Sequence, residues 1–157
     1  MLGRAETVLP RMKATRSFAN SSALLYRKAG SRFIAFETIA DSVMRLCDAW
    51  SVAVYPFDGE LVHITATRGG LPDSGSYLEG QYPMRPTPDA PSITVRAILE
   101  RTVVHVPDSE LDDRPDFRET ARARGFRAAV GVPMLRGGEP IGAIGVSRAE
   151  PGPVSPA

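Results

Sequence analysis

One segment limits the folds that this chain can adopt more than any other. It runs from Gly131 to Val146 and reads GVPMLRGGEPIGAIGV. Two apolar runs flank the turn-forming cluster RGGEP, a pattern that predicts a β-hairpin with a loop of a few residues. The alternative is a glycine-rich phosphate loop, but the segment contains neither G-x-G-x-x-G nor G-x-x-x-x-G-K-[ST]. Because hairpins join antiparallel strands, the segment favours an α+β domain over a doubly wound parallel sheet. Its glycines would also allow another element to approach the sheet closely.

A second hairpin is predicted at Asp58-Gly59, between two segments rich in β-forming residues. The run over 52–57 is apolar on both faces, as expected of a central strand. After the turn, apolar and polar residues alternate, which predicts that two sets of side chains face opposite sides of the sheet: Val62, Ile64 and Ala66 against His63, Thr65 and Thr67. Further strands are expected near 103–106, 127–135 and 141–147.

Helical periodicity is strongest over 33–50, where apolar side chains recur at three- and four-residue intervals. Cys47, the only cysteine of the chain, lies on this apolar face, where a buried thiol is expected to be unreactive. Ser92 is the predicted N-cap of a helix over 92–101. A shorter helix is predicted to begin with a capping box at Asp116 and to stop at Gly125. The connection over 71–91 is rich in glycine, proline, serine and aspartate, with one short extended piece predicted near 81–85. Long connections of this kind are usually functional or mobile.

The composition is that of one ordinary domain. The chain has 157 residues, of which 43% are hydrophobic and 24% charged. A net charge of +1 gives no electrostatic argument for nucleic-acid binding, and no apolar run approaches the ~20 residues that span a bilayer. One cysteine and two histidines are too few for a soft-ligand metal site. We therefore expect no metal, no cofactor, no nucleic-acid or membrane partner, and a cytoplasmic location.

No catalytic residue is predicted. The acidic segment over 108–116 could suggest paired carboxylates or a Mg²⁺ site, but its turn-rich composition favours a structural loop. His63 and His105 fall in predicted strands, and neither is accompanied by a local nucleophile or carboxylate signature.

Four segments of the chain resemble the GAF domain, particularly those of bacterial sensor histidine kinases and cyclases. They are FETIADSVMRLCDA (36–49), RAILERTVVHVPD (96–108), ARARGFRAAVGVPMLRGGEPIGAIGVSR (121–148) and the final PGPVSP. The resemblance implies an α+β fold in which helices pack on one face of an antiparallel sheet and a ligand pocket lies on the other. It also implies a regulatory domain that senses a small molecule in bacterial signal transduction, with any kinase or cyclase activity in a separate domain.

Several features of GAF subfamilies are missing. The Asn-Lys…Phe…Asp-Glu signature of cyclic-nucleotide-binding relatives is absent, and Cys47 is not in the long loop where bilin-binding relatives attach their pigment. Relatives that reduce free methionine sulfoxide need several cysteines. Because these subfamily features are missing, two alternatives to sensing stay open. One is a structural module that forms a homodimer through the helix over 33–50, and the other is a small enzyme.

The resemblance also suggests a division of the chain. Residues 1–31 would form a flexible basic arm, residues 32–150 the GAF-like sensor domain, and residues 151–157 a proline-rich tail at the point where the signalling helix of the family normally begins. Both ends are expected to be mobile, because they bury too little surface to offset the entropy of ordering.

A ligand pocket is predicted on the sheet face away from the helix over 33–50, beneath the connection over 71–91 and the helix over 92–101. Strand parity predicts Tyr55, His63 and Thr65 as its floor. Position in the cover predicts Tyr82 and Arg96 as its walls. Arg127 is expected to place a positive charge at the rim, which would favour an anionic or carbonyl-bearing ligand. The alternative is that the connection collapses onto the sheet and fills this space with Tyr82 and Met84.

Overall fold

The computed structural model describes residues 30–154. In chain order the elements are α1 (Gly30–Leu46), β1 (Ser51–Pro56), β2 (Ala66–Gly69), α2 (Ser74–Glu79), α3 (Ile93–Glu100), β3 (Val104–Val106), a 3-10 turn (Ser109–Leu111), α4 (Pro115–Arg124), β4 (Ala128–Arg136) and β5 (Glu139–Arg148). Apart from its last two residues, the predicted arm over 1–31 lies outside the described residues, as do residues 155–157.

The five strands form one antiparallel sheet in the order β2-β1-β5-β4-β3. The predicted α+β class with an antiparallel sheet is therefore confirmed. All six residues of β1 are buried, as its two-sided apolar sequence predicts for a central strand. The RGGEP cluster forms the predicted turn between β4 and β5, with positive φ at Gly137 and Gly138.

Helices cover both faces of this sheet. On one face, Val52 and Val54 of β1 pack with Ala40 of α1. On the other face, Ala53 and Tyr55 pack with residues of α2 and α3 and of the connection between those helices. α4 packs against α3 and the outer strands in a neighbouring cluster. The pocket was predicted on the face away from α1, and α2, α3 and the connection between them cover that face.

The glycines of the β4–β5 hairpin let α3 lie directly on the sheet. A Cβ atom on Gly131 would lie 2.8 Å from the carbonyl oxygen of Ile93, and one on Gly145 would lie 3.0 Å from Cγ2 of Thr94. Larger residues would lift the first turn of α3 away from the sheet. This close approach is the structural role that the sequence suggested for the hairpin glycines.

The predicted alternation after Asp58-Gly59 is wrong for part of the second run. Phe57 pairs with Val62, whereas Val54 pairs with Ala66, so three steps along β1 match four steps along the returning chain. This one-residue irregularity reverses which side chains face which side. Val62 consequently joins the cluster of Tyr55, while Ala66 joins the cluster beneath α1. Regular pairing as β2 is confined to Ala66–Gly69.

The first helix is shorter than predicted at its C-terminal end. It ends at Leu46, and Asp48 adopts a positive φ of 47°. The backbone N–H of Trp50 then donates to the carbonyl of Ser147 at 2.8 Å, which begins the sheet. Trp50 packs against the cluster of α3 and α4, on the opposite side from α1. The helical spacing therefore predicted too long a helix, because residues 47–50 form the turn that leads into β1.

Two further helix predictions are corrected. The connection over 71–91 contains the short helix α2, which its glycine- and serine-rich sequence did not indicate. α4 begins at Pro115 and not with a cap at Asp116; the N-cap residue is Arg114, which makes no capping hydrogen bond and is held instead by Asp112. Ser92 does cap α3, and Gly125 does end α4 with a positive φ.

The proline-rich tail packs on the domain as far as it is described. The N–H of Gly152 donates to the carbonyl of Pro107 at 2.8 Å, and Val154 packs against the cluster beneath α1. The mobility expected of the tail stays a prediction. Within residues 30–154, no helix combines the length and the apolar character needed to cross a membrane.

Candidate functional site

Two adjoining cavities lie on the sheet face away from α1. The first, here called the tyrosine cavity, has a volume of about 30 Å³ and lies beneath α3 and α4. Its lining includes Ser51, Tyr55, Tyr82, Thr120, Arg124 and Ser147. The second, here called the Gly69 cavity, has a volume of about 250 Å³ and lies where β2 leads into α2. Ser51, Leu78 and Arg124 line both cavities, so these three residues mark the junction between them.

The tyrosine cavity is small. Because a water molecule needs roughly 10–15 Å³ of such space, the cavity has room for about two waters. Tyr82 lies over Tyr55 with ring centroids 5.1 Å apart, and Met84 packs at the edge of the same cluster. In this conformation the connection over 71–91 has collapsed onto the sheet, which is the filled alternative that the sequence left open.

The two tyrosines are held as neutral hydroxyl groups. Burial raises the pKa of the Tyr55 phenol, an effect that the guanidinium of Arg124 only partly opposes. Burial and the neighbouring Tyr55 raise the pKa of the Tyr82 phenol well above its usual range. The Tyr82 hydroxyl lies 3.1 Å from Oγ of Ser92, which in turn lies 2.8 Å from Oγ1 of Thr94. A chain of hydroxyls therefore fixes Tyr82 to the first turn of α3.

Arg68 lines the Gly69 cavity, but its charge is matched by Glu37 and Asp41. Arg124 supplies the unmatched positive charge at this site. It is the last residue of α4, and its guanidinium stacks on the ring of Phe126 at 5.2 Å from the ring centroid. Its Nε is buried without a hydrogen-bond partner. In the lining of the tyrosine cavity, the hydroxyls of Ser51 and Ser147 lie 2.5 Å apart. The junction of the cavities thus combines the guanidinium of Arg124 with the buried hydroxyl of Ser51.

The structure brings together two of the six predicted site residues, Tyr55 and Tyr82. His63 is buried elsewhere, with its Nε2 at 2.6 Å from Oδ2 of Asp58. Thr65 also lies outside both linings. Their predicted placement beside Tyr55 is wrong, because the register irregularity turns Val62 and Ile64 to that face instead.

The two predicted arginines also lie outside the cavities. Arg96 is on α3 and pairs with Glu100, while both nitrogens of one edge of Arg127 bind Asp108 at 2.8–3.0 Å. Sequence reasoning assigned the rim charge to Arg127 and missed Arg124, three residues earlier. A cation in the last turn of a helix is expected from the helix dipole alone, so the position of Arg124 carried no separate signal.

The side chains in the two linings are of types that can bind a small molecule. Among the described residues that line the two cavities there is no cysteine, histidine or carboxylate. Within residues 30–154 there is also no group of three or more histidine, cysteine or acidic side chains placed to hold a metal ion. The lining side chains offer hydroxyl and guanidinium donors set among apolar walls. Such a surface can recognise and orient a small molecule.

The family model of the GAF domain matches residues 34–157. This chain belongs to the GAF domain family. No curated protein matches the chain.

Solved structures share this fold at low sequence identity. The GAF domain region of a Geobacter sulfurreducens PCA protein described as a membrane protein aligns with a TM-score of 0.66 at 15% identity over 85% of each chain. The type II free methionine-R-sulfoxide reductase of Thermoplasma acidophilum aligns with a TM-score of 0.57 at 15% identity, over 76% of this chain and 75% of that one. A domain of a Sinorhizobium meliloti 1021 protein described as a two-component sensor histidine kinase also gives 0.57 at 15% identity, over 77% of this chain and 75% of that one. At these identities the likeness shows the fold alone.

Proposed function

We propose that this protein is a regulatory domain that senses a small molecule in bacterial signal transduction, as part of or derived from a sensor histidine kinase or cyclase. The observation that carries the proposal is the pair of adjoining cavities opposite α1, whose shared lining holds Arg124. Membership of the GAF family and the likeness to a domain of a sensor kinase support it. In this proposal the domain works in the cytoplasm and needs no metal or resident cofactor.

The interior strand β1 offers a physical route for the signal. Tyr55 of β1 packs on the cavity face, while its neighbour Val54 packs beneath α1. A ligand that displaces Tyr82 from Tyr55 changes the packing on one face of β1. Because interiors are close-packed, a shift of β1 must be accommodated by α1 on the other face. The helix α1 would then pass the change to an output domain.

A second function is favoured by the small volume of the tyrosine cavity. If the connection over 71–91 stays collapsed, the domain binds nothing there and serves as a structural module, with α1 as its dimerisation surface. An enzymatic role has less support despite the likeness to a reductase, since Cys47 packs beneath α1, on the opposite face from the cavities.

Thermal-shift screening against nucleotides, tetrapyrroles and metabolites separates these functions. A ligand that binds the folded state raises its stability by about 2.7 kcal/mol at a concentration one hundred times its Kd. We expect at least one compound to raise the Tm of the wild type, and the size of this shift to change in Tyr82→Ala, because Tyr82 decides how much of the tyrosine cavity is filled. Arg96→Ala is the control, because Arg96 lies outside both cavities and should leave the shift intact. A screen without a single stabilising compound would favour the structural module.

A further inference from the structure

The charge of Arg124 is not balanced by a carboxylate in the described part of the chain. None of the ion pairs found among these residues includes Arg124. Arg124 forms a side-chain hydrogen bond with the phenol of Tyr55 and also acts electrostatically on the phenol of Tyr82. Both phenols are neutral at neutral pH, since burial raises their pKa above an ordinary value that is already 10.0. They can orient the guanidinium but cannot neutralise it.

Three other partly buried arginines of the domain are matched by carboxylates. Arg68 binds Asp41 at 2.6 Å and also pairs with Glu37. Arg127 binds Asp108, and Arg114 binds Asp112 at 2.8 Å. Arg114 also has a buried nitrogen without a partner, but its charge is matched by the carboxylate beside it. Arg124 differs because it combines an unpartnered buried Nε with the absence of a matching carboxylate.

The surroundings of Arg124 suit the anionic end of an organic molecule. The described residues lining both cavities include no acidic side chain that would repel an anion. The hydroxyls of Ser51 and Ser147 lie in the lining of the tyrosine cavity, and because one of them donates to the other, one O–H remains to donate to an oxyanion. Leu71, Pro72 and Leu78 give the Gly69 cavity an apolar wall. Its volume of about 250 Å³ exceeds the roughly 150 Å³ cavity that holds a benzene ring in another protein.

We infer that Arg124 binds the carboxylate or phosphate group of a small organic anion, whose apolar body occupies the Gly69 cavity. A planar guanidinium held by stacking on Phe126 presents a fork of donors that matches an oxyanion. This inference rests on the proposed sensing function and narrows its ligand to anions. It assigns anion binding to Arg124 and not to Arg127, whose guanidinium already binds Asp108.

Titration calorimetry of the full chain with benzoate, benzamide and inorganic phosphate tests the inference. Benzoate and benzamide have nearly the same shape, so a difference between them reports the charge. We expect benzoate to bind at millimolar concentrations or below and benzamide to bind at least about tenfold more weakly, as hydrogen bonds to charged groups commonly contribute about 1.5–3 kcal/mol. Binding of phosphate as well would support recognition of the oxyanion itself.

Variants then assign the effect to Arg124. Arg124→Gln should weaken benzoate binding about tenfold or more, and Arg124→Lys, which keeps the charge but loses the fork, should weaken it less. Arg136→Gln is the matched control, since Arg136 is exposed at the end of β4 and lines neither cavity. The comparison of benzoate with benzamide uses the wild type alone, so it stays informative even if a variant fails to fold.

Some results would overturn the inference. Equal binding of benzoate and benzamide, or benzoate binding unaffected by Arg124→Gln, would refute anion recognition by Arg124 and leave the sensing function standing. If neither benzoate nor phosphate binds while a neutral compound from the thermal-shift screen does, the inference also fails and sensing survives. If no anion and no screened compound binds, both the inference and the proposed function fail.

Discussion

Tyr82 lies against Tyr55 with an angle of 46° between the ring planes and ring centroids 5.1 Å apart. This contact joins the connection after α2 to the interior strand β1. Both side chains are buried, and they line the tyrosine cavity, which has a volume of only about 30 Å³. The position of Tyr82 therefore decides whether the tyrosine cavity is open or filled.

Replacing Tyr82 with alanine should destabilise the domain and enlarge the tyrosine cavity. Truncating a buried aromatic side chain to alanine costs about 3–5 kcal/mol, a large share of the ~5–15 kcal/mol that holds an ordinary domain together. Urea denaturation of Tyr82→Ala measures the loss. Leu111→Ala, which truncates a side chain that is 84% exposed, is the control and should move the urea midpoint little. Equal effects of the two variants would show that Tyr82 is not packed in solution as described.

Two neighbouring residues of α3 provide a matched test of the cavity-side core. Ile98 is 2% exposed and packs in the cluster with Tyr55, whereas Leu99 is 41% exposed. Ile98→Ala should lower the free energy of unfolding by about 2–5 kcal/mol, and Leu99→Ala should cost much less. Urea denaturation compares the two variants on one helix. A larger loss for Leu99→Ala would mean that α3 is rotated relative to the sheet.

Adding one methyl group at Gly131 should destabilise the protein. The new Cβ would lie 2.8 Å from the carbonyl oxygen of Ile93, which is backbone and cannot rotate away. Overpacking of this kind costs about 1–3 kcal/mol. Gly75→Ala is the control, because a Cβ there has nothing within 4 Å and Gly75 lies in α2. Removing this helical glycine should stabilise the domain by about 0.5–1 kcal/mol. A harmless Gly131→Ala would show that α3 does not rest on the hairpin.

Asp58 should contribute to the loss of stability in acid. Burial alone would raise the pKa of its carboxyl, but hydrogen bonds from the backbone of Leu61, from His63 and from the backbone of Glu60 hold the pKa below its ordinary value of 3.8. A carboxyl whose pKa is lowered by folding stabilises the folded state at pH values above its ordinary pKa. This stabilisation is lost as the pH falls through the pKa of the carboxyl in the folded state.

Asp58→Asn removes this titration while keeping an oxygen for the turn. Unfolding free energies measured from neutral pH down to strongly acidic pH should therefore fall less steeply in Asp58→Asn than in the wild type. Asp113→Asn, at an exposed position, is the comparison variant. The pKa assignment is wrong if Asp58→Asn and the wild type show parallel acid profiles.

Local sequence signals predicted the sheet well because they act over short distances. The turn residues at Asp58-Gly59 and in RGGEP set two chain reversals, and the two-sided apolar run over 52–57 indicated the central strand. The Ser92 cap and the Gly125 stop also depend on neighbouring residues alone. Each of these features could be predicted because a few adjacent residues determine it.

The site was predicted less well because it depends on register and on long-range packing. A single extra residue opposite β1 moved His63 and Thr65 off the face of Tyr55, and alternation in the sequence cannot show such an irregularity. Arg127 and Arg124 are three residues apart, yet Arg127 binds Asp108 whereas Arg124 lines the cavities. Whether an arginine pairs with a carboxylate depends on residues that are distant in sequence.

Native mass spectrometry of the purified full chain tests the sensing function most directly. If the domain is a small-molecule sensor, part of the protein should carry a noncovalent adduct that dissociates on denaturation, and the fraction carrying it should change in Tyr82→Ala but stay the same in Leu111→Ala. The bare chain mass in every preparation, including samples incubated with the nucleotide, tetrapyrrole and metabolite sets, would contradict sensing and favour the structural module.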